Sequence, residues 1–225
     1  MSAPHSSTAA VPSATLQRPL VIACAALTAD LRAVLSAGAL RDAVEVDYLP
    51  ANLHNTPNLI VAHVRERLER AARAGRPVFV AYADCGTGGR LDALLAEFDV
   101  QRLPGAHCYE LFAGPARFAA LHEEELGTFY LTDFLAKHFD ALVWNGLGLD
   151  CSPQLLETYF GNYTRLVLLA QTDDVEVTAR AAAAAARLGL SFERLLVGRD
   201  ALAGAVGEWS LGIPRRADAP NGASV

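Results

Sequence analysis

The sequence predicts an α/β protein built on a doubly wound, mostly parallel sheet, a single domain with a helical insertion at about 114–151. Three observations carry that expectation. Short runs such as PLVIAC (19–24), PVFVAY (77–82) and RLVLLA (165–170) are apolar at nearly every position, as strands buried on both faces are. Stretches with helical start and stop signals separate them, and strands joined through helices make parallel sheets. At 225 residues, with 52% hydrophobic and 20% charged residues, the chain can bury roughly 70% of its unfolded surface and folds without disulfides or a structural metal.

Pro19 to Cys24 is the first strand, and Thr28 sets up a helix over Ala29 to Ala37 that Gly38 stops. Val44 to Leu49 (VEVDYL) alternates as a strand does; Thr56 and Pro57 then open a helix running through Ala74. A third strand covers Pro77 to Tyr82, a helix Arg90 to Phe98, and a short extended segment Val100 to Leu103 ends at Pro104 and Gly105. Between Gly114 and Cys151 the expected elements are helices, Ala116 to Glu125 and Leu131 to Phe139, with Trp144 to Leu149 unassigned. The alternation resumes with a helix near Pro153 to Phe160 and a strand Arg165 to Ala170. A helix Val175 to Leu188, with alanine at every position from 181 to 186, and a strand Ser191 to Val197 complete it. The alanine run suits close packing against a neighbour, a second copy of the chain included. Residues 1–17 and 211–225 read as disordered tails around a domain at 18–210.

Nineteen Lys and Arg against 25 Asp and Glu give a formal charge of -6, which offers no field to concentrate nucleic acid or to hold an anionic membrane. The N-terminal stretch lacks the basic start and apolar run of a signal peptide, and no apolar run approaches the ~20 residues that span a bilayer. The expected location is the cytoplasm, where cysteines stay free thiols or become ligands.

The chain has four cysteines. In an open parallel sheet ligands bind beyond the carboxyl ends of the strands. Cys24 ends the first strand, Cys85 follows the third, Cys108 follows the fourth, and His54 and His107 lie on the same rim. Three thiolates with an imidazole suit zinc, and three thiolates with an open position suit an iron–sulfur cluster. Three small apolar side chains at strand ends are also read as core residues. Cys151 falls off the rim. The loop Cys85 to Gly89 (CGTGG) lets backbone N–H groups turn inward, with Gly86 and Gly88 able to cradle an anion. A helix N-terminus beside Cys85 predicts a lowered thiol pKa, making it the most reactive of the four.

Cys24, Leu53-His54 followed by Pro57, Cys85-Gly86 after Tyr82, His107-Cys108 and GTFYLT (127–132) resemble, in that order, the motifs of the domain of unknown function family 1638. The resemblance spans about Pro19 to Leu202. It implies a metal or corrinoid setting, corrinoid-dependent methyl transfer or one-carbon metabolism, and a corrinoid protein or methyltransferase as partner. Two departures bear on the ligands: this chain has Cys24-Ala25 where the family has Cys-Gly, and His107-Cys108 where it often has His-Asp-Cys, which makes His107 the less secure ligand. Thr128 and Tyr130 offer hydroxyls from a segment that either covers the site or begins a helix. Glu123 to Glu125 and His63 read as surface, and His122 and His138 reach the rim only if the middle segment folds over it. The aromatics Trp144, Tyr159, Phe160 and Tyr163, with Asn145 and Asn162, either line a planar ligand or pack a core.

Overall fold

The computed structural model describes residues 17–212. The expected tails lie outside those residues except for Gln17, Leu211 and Gly212.

Strands β1 (Leu20–Cys24), β2 (Glu45–Leu49), β3 (Val78–Ala81) and β4 (Gln101–Arg102) form an all-parallel sheet in the order β2-β1-β3-β4. β1 is buried at every residue because strands flank it on both edges and helices cover both faces. Helix α1 (Thr28–Ala37) enters through a 3-10 turn at Ala25–Leu27, and Thr28 donates its hydroxyl to the Ala25 carbonyl. Helix α2 (Pro57–Arg73) starts with proline at its first turn, where the missing N–H costs nothing, and buries Ile60, Val64, Leu68 and Ala71 on one stripe. Helix α3 (Arg90–Phe98) packs beside it.

The α/β class and the parallel strands agree with the sequence, but the strands divide between two sheets. β5 (Thr128–Thr132), β6 (Arg165–Ala170) and β7 (Ser191–Leu196) make a second parallel sheet, ordered β5-β6-β7. The residues 114–151 are therefore not a purely helical insertion. TFYLT pairs with β6 over five residues, Thr128 with Arg165 through Thr132 with Leu169, and its β-branched and aromatic residues suit a pleated surface. The helix expected from Leu131 starts later, as α6 (Asp133–Lys137), capped by the Thr132 hydroxyl. The first sheet is not extended past β4, which is two residues long and runs into Pro104.

Along β6, Leu166, Leu168 and Ala170 face one core with helix α8 (Val175–Leu188), while Val167 and Leu169 face another with Tyr130 and Leu121. That period of two is what a strand buried on both faces requires. Two elements join the sheets. Helix α4 (Cys108–Ala113) puts Leu111 and Phe112 into the first core and Tyr109 and Ala113 against the second sheet. Helices α5 (Pro115–Glu124) and α7 (Leu155–Phe160) precede the last crossing element, α9 (Asp200–Leu211). α9 returns to the first sheet and buries Leu202, Val206 and Trp209 there; Trp209 stacks on Phe79 with centroids 5.1 Å apart. Just before it, Arg199 donates to the buried Asp30 carboxylate of α1 at 2.6 Å. Burial raises the Asp30 pKa, and the Arg199 guanidinium opposes that rise. No helix among the described residues is long and apolar enough to cross a membrane.

Candidate functional site

Strand order reverses between β1 and β3, because the chain moves to β2 on one side of β1 and then crosses to β3 on the other. A crevice opens beyond the carboxyl ends at such a reversal. Cys24 is the last residue of β1 and Cys85 follows β3, so both thiols stand at it. His54 sits in the 3-10 turn Ala51–Asn55 after β2, and His107 and Cys108 open α4 after β4. Cys85, Cys108, His54 and His107 line one cavity of about 250 Å³, whose opposite wall comes from Phe129 and Thr132 of β5, Phe134 and Leu135 of α6, and Leu142 in the helical turn that follows. Among the described residues, no Lys, Arg, Asp or Glu lines it.

Cys24 is 4% exposed and lies behind this cavity, its sulfur accepting from the Ala26 N–H at 3.4 Å. The Tyr82 hydroxyl is turned toward that sulfur but completes a hydrogen bond with no group, and the Tyr82 ring stacks on His54. All four cysteines are free. Among the described residues no group of three or more His, Cys, Asp or Glu is placed to hold a metal ion. Zinc and an iron–sulfur cluster therefore do not fit Cys24, Cys85, Cys108, His54 and His107 as they stand. The cavity, about 250 Å³, is slightly smaller than the ~300–1,000 Å³ of pockets that take drug-sized ligands.

The thiol of Cys85 behaves opposite to the expectation from helix position. Burial pushes its pKa up to about 12, and the neighbouring Cys24 and Asp84 add to the rise. Asp84 explains why the helix N-terminus does not offset that rise. Its carboxylate accepts from the Thr87 hydroxyl at 2.6 Å and from the Gly88 and Gly89 N–H groups at 3.0 and 2.8 Å. The carboxylate thus fills the glycine cradle and takes the N-terminus of α3, the place assigned to an anion or a thiolate. Gly88 is engaged internally, and Gly86 packs against Pro57. Cys85 itself has a φ of 51°, a left-handed conformation that strains any residue with a β-carbon. The Cys85 N–H donates to the Ala106 carbonyl at 2.7 Å and holds it there. Burial also raises the Cys24 and Cys108 thiols, so the three rim thiols are neutral at pH 7.

The two histidines are neutral as well, since burial lowers both pKa values. Their proton positions differ. His54 Nδ1 stands 2.8 Å from the Ala51 carbonyl; a carbonyl only accepts, so Nδ1 carries the proton and Nε2 keeps a lone pair. His107 Nδ1 accepts from the Glu110 N–H at 3.5 Å as the cap of α4, which leaves the proton on Nε2. One imidazole therefore offers the cavity an acceptor and the other a donor.

Thr128 and Tyr130 part ways. The Thr128 hydroxyl donates to the Glu125 carbonyl at 2.6 Å and accepts from Arg165 Nε at 2.8 Å, so it is occupied within the fold. Tyr130 is 7% exposed, and its buried hydroxyl completes no hydrogen bond among the described residues. Gly127 allows the approach that starts the β5–β6 pairing: a Cβ there would stand 2.7 Å from the Asn162 carbonyl. Cys151 and His138 are exposed and line no part of the cavity; His122 is at the rim of a neighbouring groove. Sequence reading passed over Tyr109 and Asn52, which also line the cavity; Tyr109 adjoins Cys108 and lies one helical step from the rim, a signal that was there to use.

Fold and site define a parallel α/β protein with an uncharged, thiol- and imidazole-lined cleft between two sheets. The family model described as "Protein of unknown function (DUF1638)" matches residues 48–205, well over half of the chain. The protein belongs to that family. No curated protein and no solved structure matches it.

Proposed function

We propose that the cleft between the two sheets binds an uncharged small molecule, read by the His54 acceptor and the His107 donor beside the Cys85 and Cys108 thiols. One observation carries the reading: His54 Nδ1 faces the Ala51 carbonyl and His107 Nδ1 faces the Glu110 N–H, opposite hydrogen-bonding senses in a single cavity with no Lys, Arg, Asp or Glu among its described lining residues. An ionic ligand would enter such a site without a counter-charge, which is costly, whereas a neutral one with an acceptor and a donor satisfies both rings. Metal binding rests on the cysteines and histidines that the sequence places at the strand ends together with the family resemblance; corrinoid chemistry and a corrinoid-protein or methyltransferase partner are carried by the resemblance alone.

The test is a thermal-shift screen of neutral metabolites on the full chain, followed by alkylation of its four cysteines. Ligands of the cleft should slow iodoacetamide at Cys85 and Cys108, leave exposed Cys151 unaffected, and lose their effect in Leu135→Trp, which fills the cavity. His54→Phe, which keeps the ring on Tyr82, should weaken them as well. Protection that survives both substitutions, or no protecting ligand, contradicts the reading. Stoichiometric zinc or iron in protein purified without oxygen would replace it with a metal site.

A further inference from the structure

The edge of a sheet is an open template for pairing unless it is covered, charged or cut short. Three edges of this protein are managed in those ways. β4 has two residues and ends near Pro104. β2 carries Glu45 and Asp47, which hold Arg76 and Arg67 at 3.0 and 2.8 Å, and β5 is buried at every residue but Phe129. β7 lacks these protections. Its Glu193 and Arg194 are engaged within the protein, by Arg165 of β6 and by Asp173 in the loop after it. It runs for six residues with none fully buried, and it exposes Phe192 at 36% and Leu196 at 53%. Among the described residues, β6 is the one strand that pairs with it.

The ladder fixes which way each β7 residue faces. The Ser191 N–H donates to the Thr164 carbonyl at 3.1 Å and the Val197 N–H to the Ala170 carbonyl at 2.9 Å, and along a parallel strand successive residues turn their backbone groups to opposite sides. Ser191, Glu193 and Leu195 therefore face β6, while Phe192, Arg194 and Leu196 turn N–H and C=O to the open side. Water satisfies those groups singly; a strand laid along the edge satisfies them together. The side chains of the same three residues share one face of the sheet, the face covered by α8, because they align with Leu166, Leu168 and Ala170 of β6.

We propose that β7 pairs antiparallel with β7 of a second copy of this chain across a two-fold axis, joining their second sheets into one continuous sheet. The occupant follows from self-complementarity, because a two-fold contact must match each group with one on the same surface of the other copy. With Arg194 on the axis, it faces Arg194 of the second copy, and Phe192 faces Leu196 of the second copy. Every outward residue then exchanges both of its backbone hydrogen bonds, and the exposed apolar side chains meet. Moving the axis by one residue in either direction sets Phe192 or Leu196 against Arg194 instead. Charge stays balanced at the axis, since each Arg194 guanidinium brings the Asp173 carboxylate that it holds at 2.6 Å. β5, which helps to line the cleft, lies at the opposite edge of the sheet, so this pairing leaves the cleft clear.

An edge of this length spans about 20 Å, a small contact beside the ~1,000 Å² of a stable interface, so the dimer should be reversible with a dissociation constant in the micromolar range. Sedimentation equilibrium of the full chain, from about 1 to about 500 μM, should show it. Leu196→Lys should weaken dimerisation at least roughly tenfold without shifting the unfolding midpoint of the monomer. Cross-linking reads the register, in a Cys151→Ser background that removes the exposed native thiol. Arg194→Cys places the new thiols on paired residues whose α-carbons stand about 5.5 Å apart, within disulfide reach, and should oxidise to a linked dimer. Phe192→Cys, whose copies lie roughly 14 Å apart along the strands, should not. A chain that stays monomeric through the titration overturns the proposal; slow amide exchange at Phe192, Arg194 and Leu196 in that monomer would put residues 1–16 or 213–225 on the edge instead. A dimer that Leu196→Lys leaves at full affinity, or one that links through Phe192→Cys and not through Arg194→Cys, overturns it as well.

Discussion

Both sheets are parallel and built around a buried central strand, β1 in one and β6 in the other, yet only the first reverses its strand order. In the second, β5, β6 and β7 follow one another in sequence and in space, so its helices leave no crevice at the strand ends. Cysteines and histidines gather on the first sheet's rim, and β5, α6 and the helical turn after it supply the opposing wall of phenylalanine, threonine and leucine. Chemistry follows topology here: the first sheet's rim presents the polar groups, and largely apolar residues from the second half of the chain face them. The halves are not independent, because α9 and the Arg199–Asp30 pair carry the end of the chain back into the first core.

That dependence is the place to break the comparison hardest. Trp209→Ala should cost about 3–5 kcal/mol by emptying the space against Phe79, and urea unfolding should show the whole protein losing stability in one transition. Two separated transitions, with only one of them shifted, would mean that the sheets fold alone. Arg199→Ala comes next, at about 3 kcal/mol near neutral pH, because it strands the Asp30 carboxylate in the interior. Since burial raises the Asp30 pKa, its protonated form is favoured in the folded state. The cost should therefore fade as pH falls through that raised value and be gone by the ordinary aspartate value of 3.8.

Within the second sheet, Thr128→Val should cost about 1–3 kcal/mol, since it removes the partner of Arg165 and of the Glu125 carbonyl, whereas Tyr130→Phe should change stability by less than about 0.5 kcal/mol or improve it. Equal losses for the two would show that the Tyr130 hydroxyl is engaged in the fold. On the first sheet's rim, Cys85→Gly should be about 1 kcal/mol more stable than Cys85→Ala, because only glycine takes a positive φ without strain.

The smallest effect is the one with pH. His54 and His107 have depressed pKa values, so their contribution to stability is present above the ordinary histidine value of 6.5 and is lost as pH falls from there through the depressed values. His54→Gln should flatten the unfolding midpoint between pH 7 and the acid range, and an unchanged slope would place His54 in water.

Much of the fold was legible. α3, β6 and α8 have the bounds their caps and periodicity predict. β5 was not, since TFYLT follows an acidic helix end and its strand character rests on pairing with residues 165–169, far along the chain. α9 escaped because Gly204 and Gly207 lower its intrinsic propensity; packing of Leu202, Val206 and Trp209 holds it instead. At the site, the rim positions of Cys85, Cys108, His54 and His107 followed from counting strands. The Cys85 pKa did not, although Asp84, three residues before Thr87, was a visible competitor for the α3 N-terminus. The tautomers of the histidines depend on single backbone partners, the Ala51 carbonyl and the Glu110 N–H, which no sequence pattern specifies.

The central claim is that two neutral imidazoles of opposite sense read a ligand in the cleft between the sheets. Long-range nitrogen–proton spectra of the histidine-labelled chain at pH 7 test it most directly, without ligand and then with the tightest ligand from the metabolite screen. The account predicts an unprotonated Nε2 for His54 and a protonated Nε2 for His107, with both resonances moving on binding while those of His63 and His138 stay in place. A charged ring at either position, the same tautomer at both, or a ligand that leaves both unmoved would contradict it.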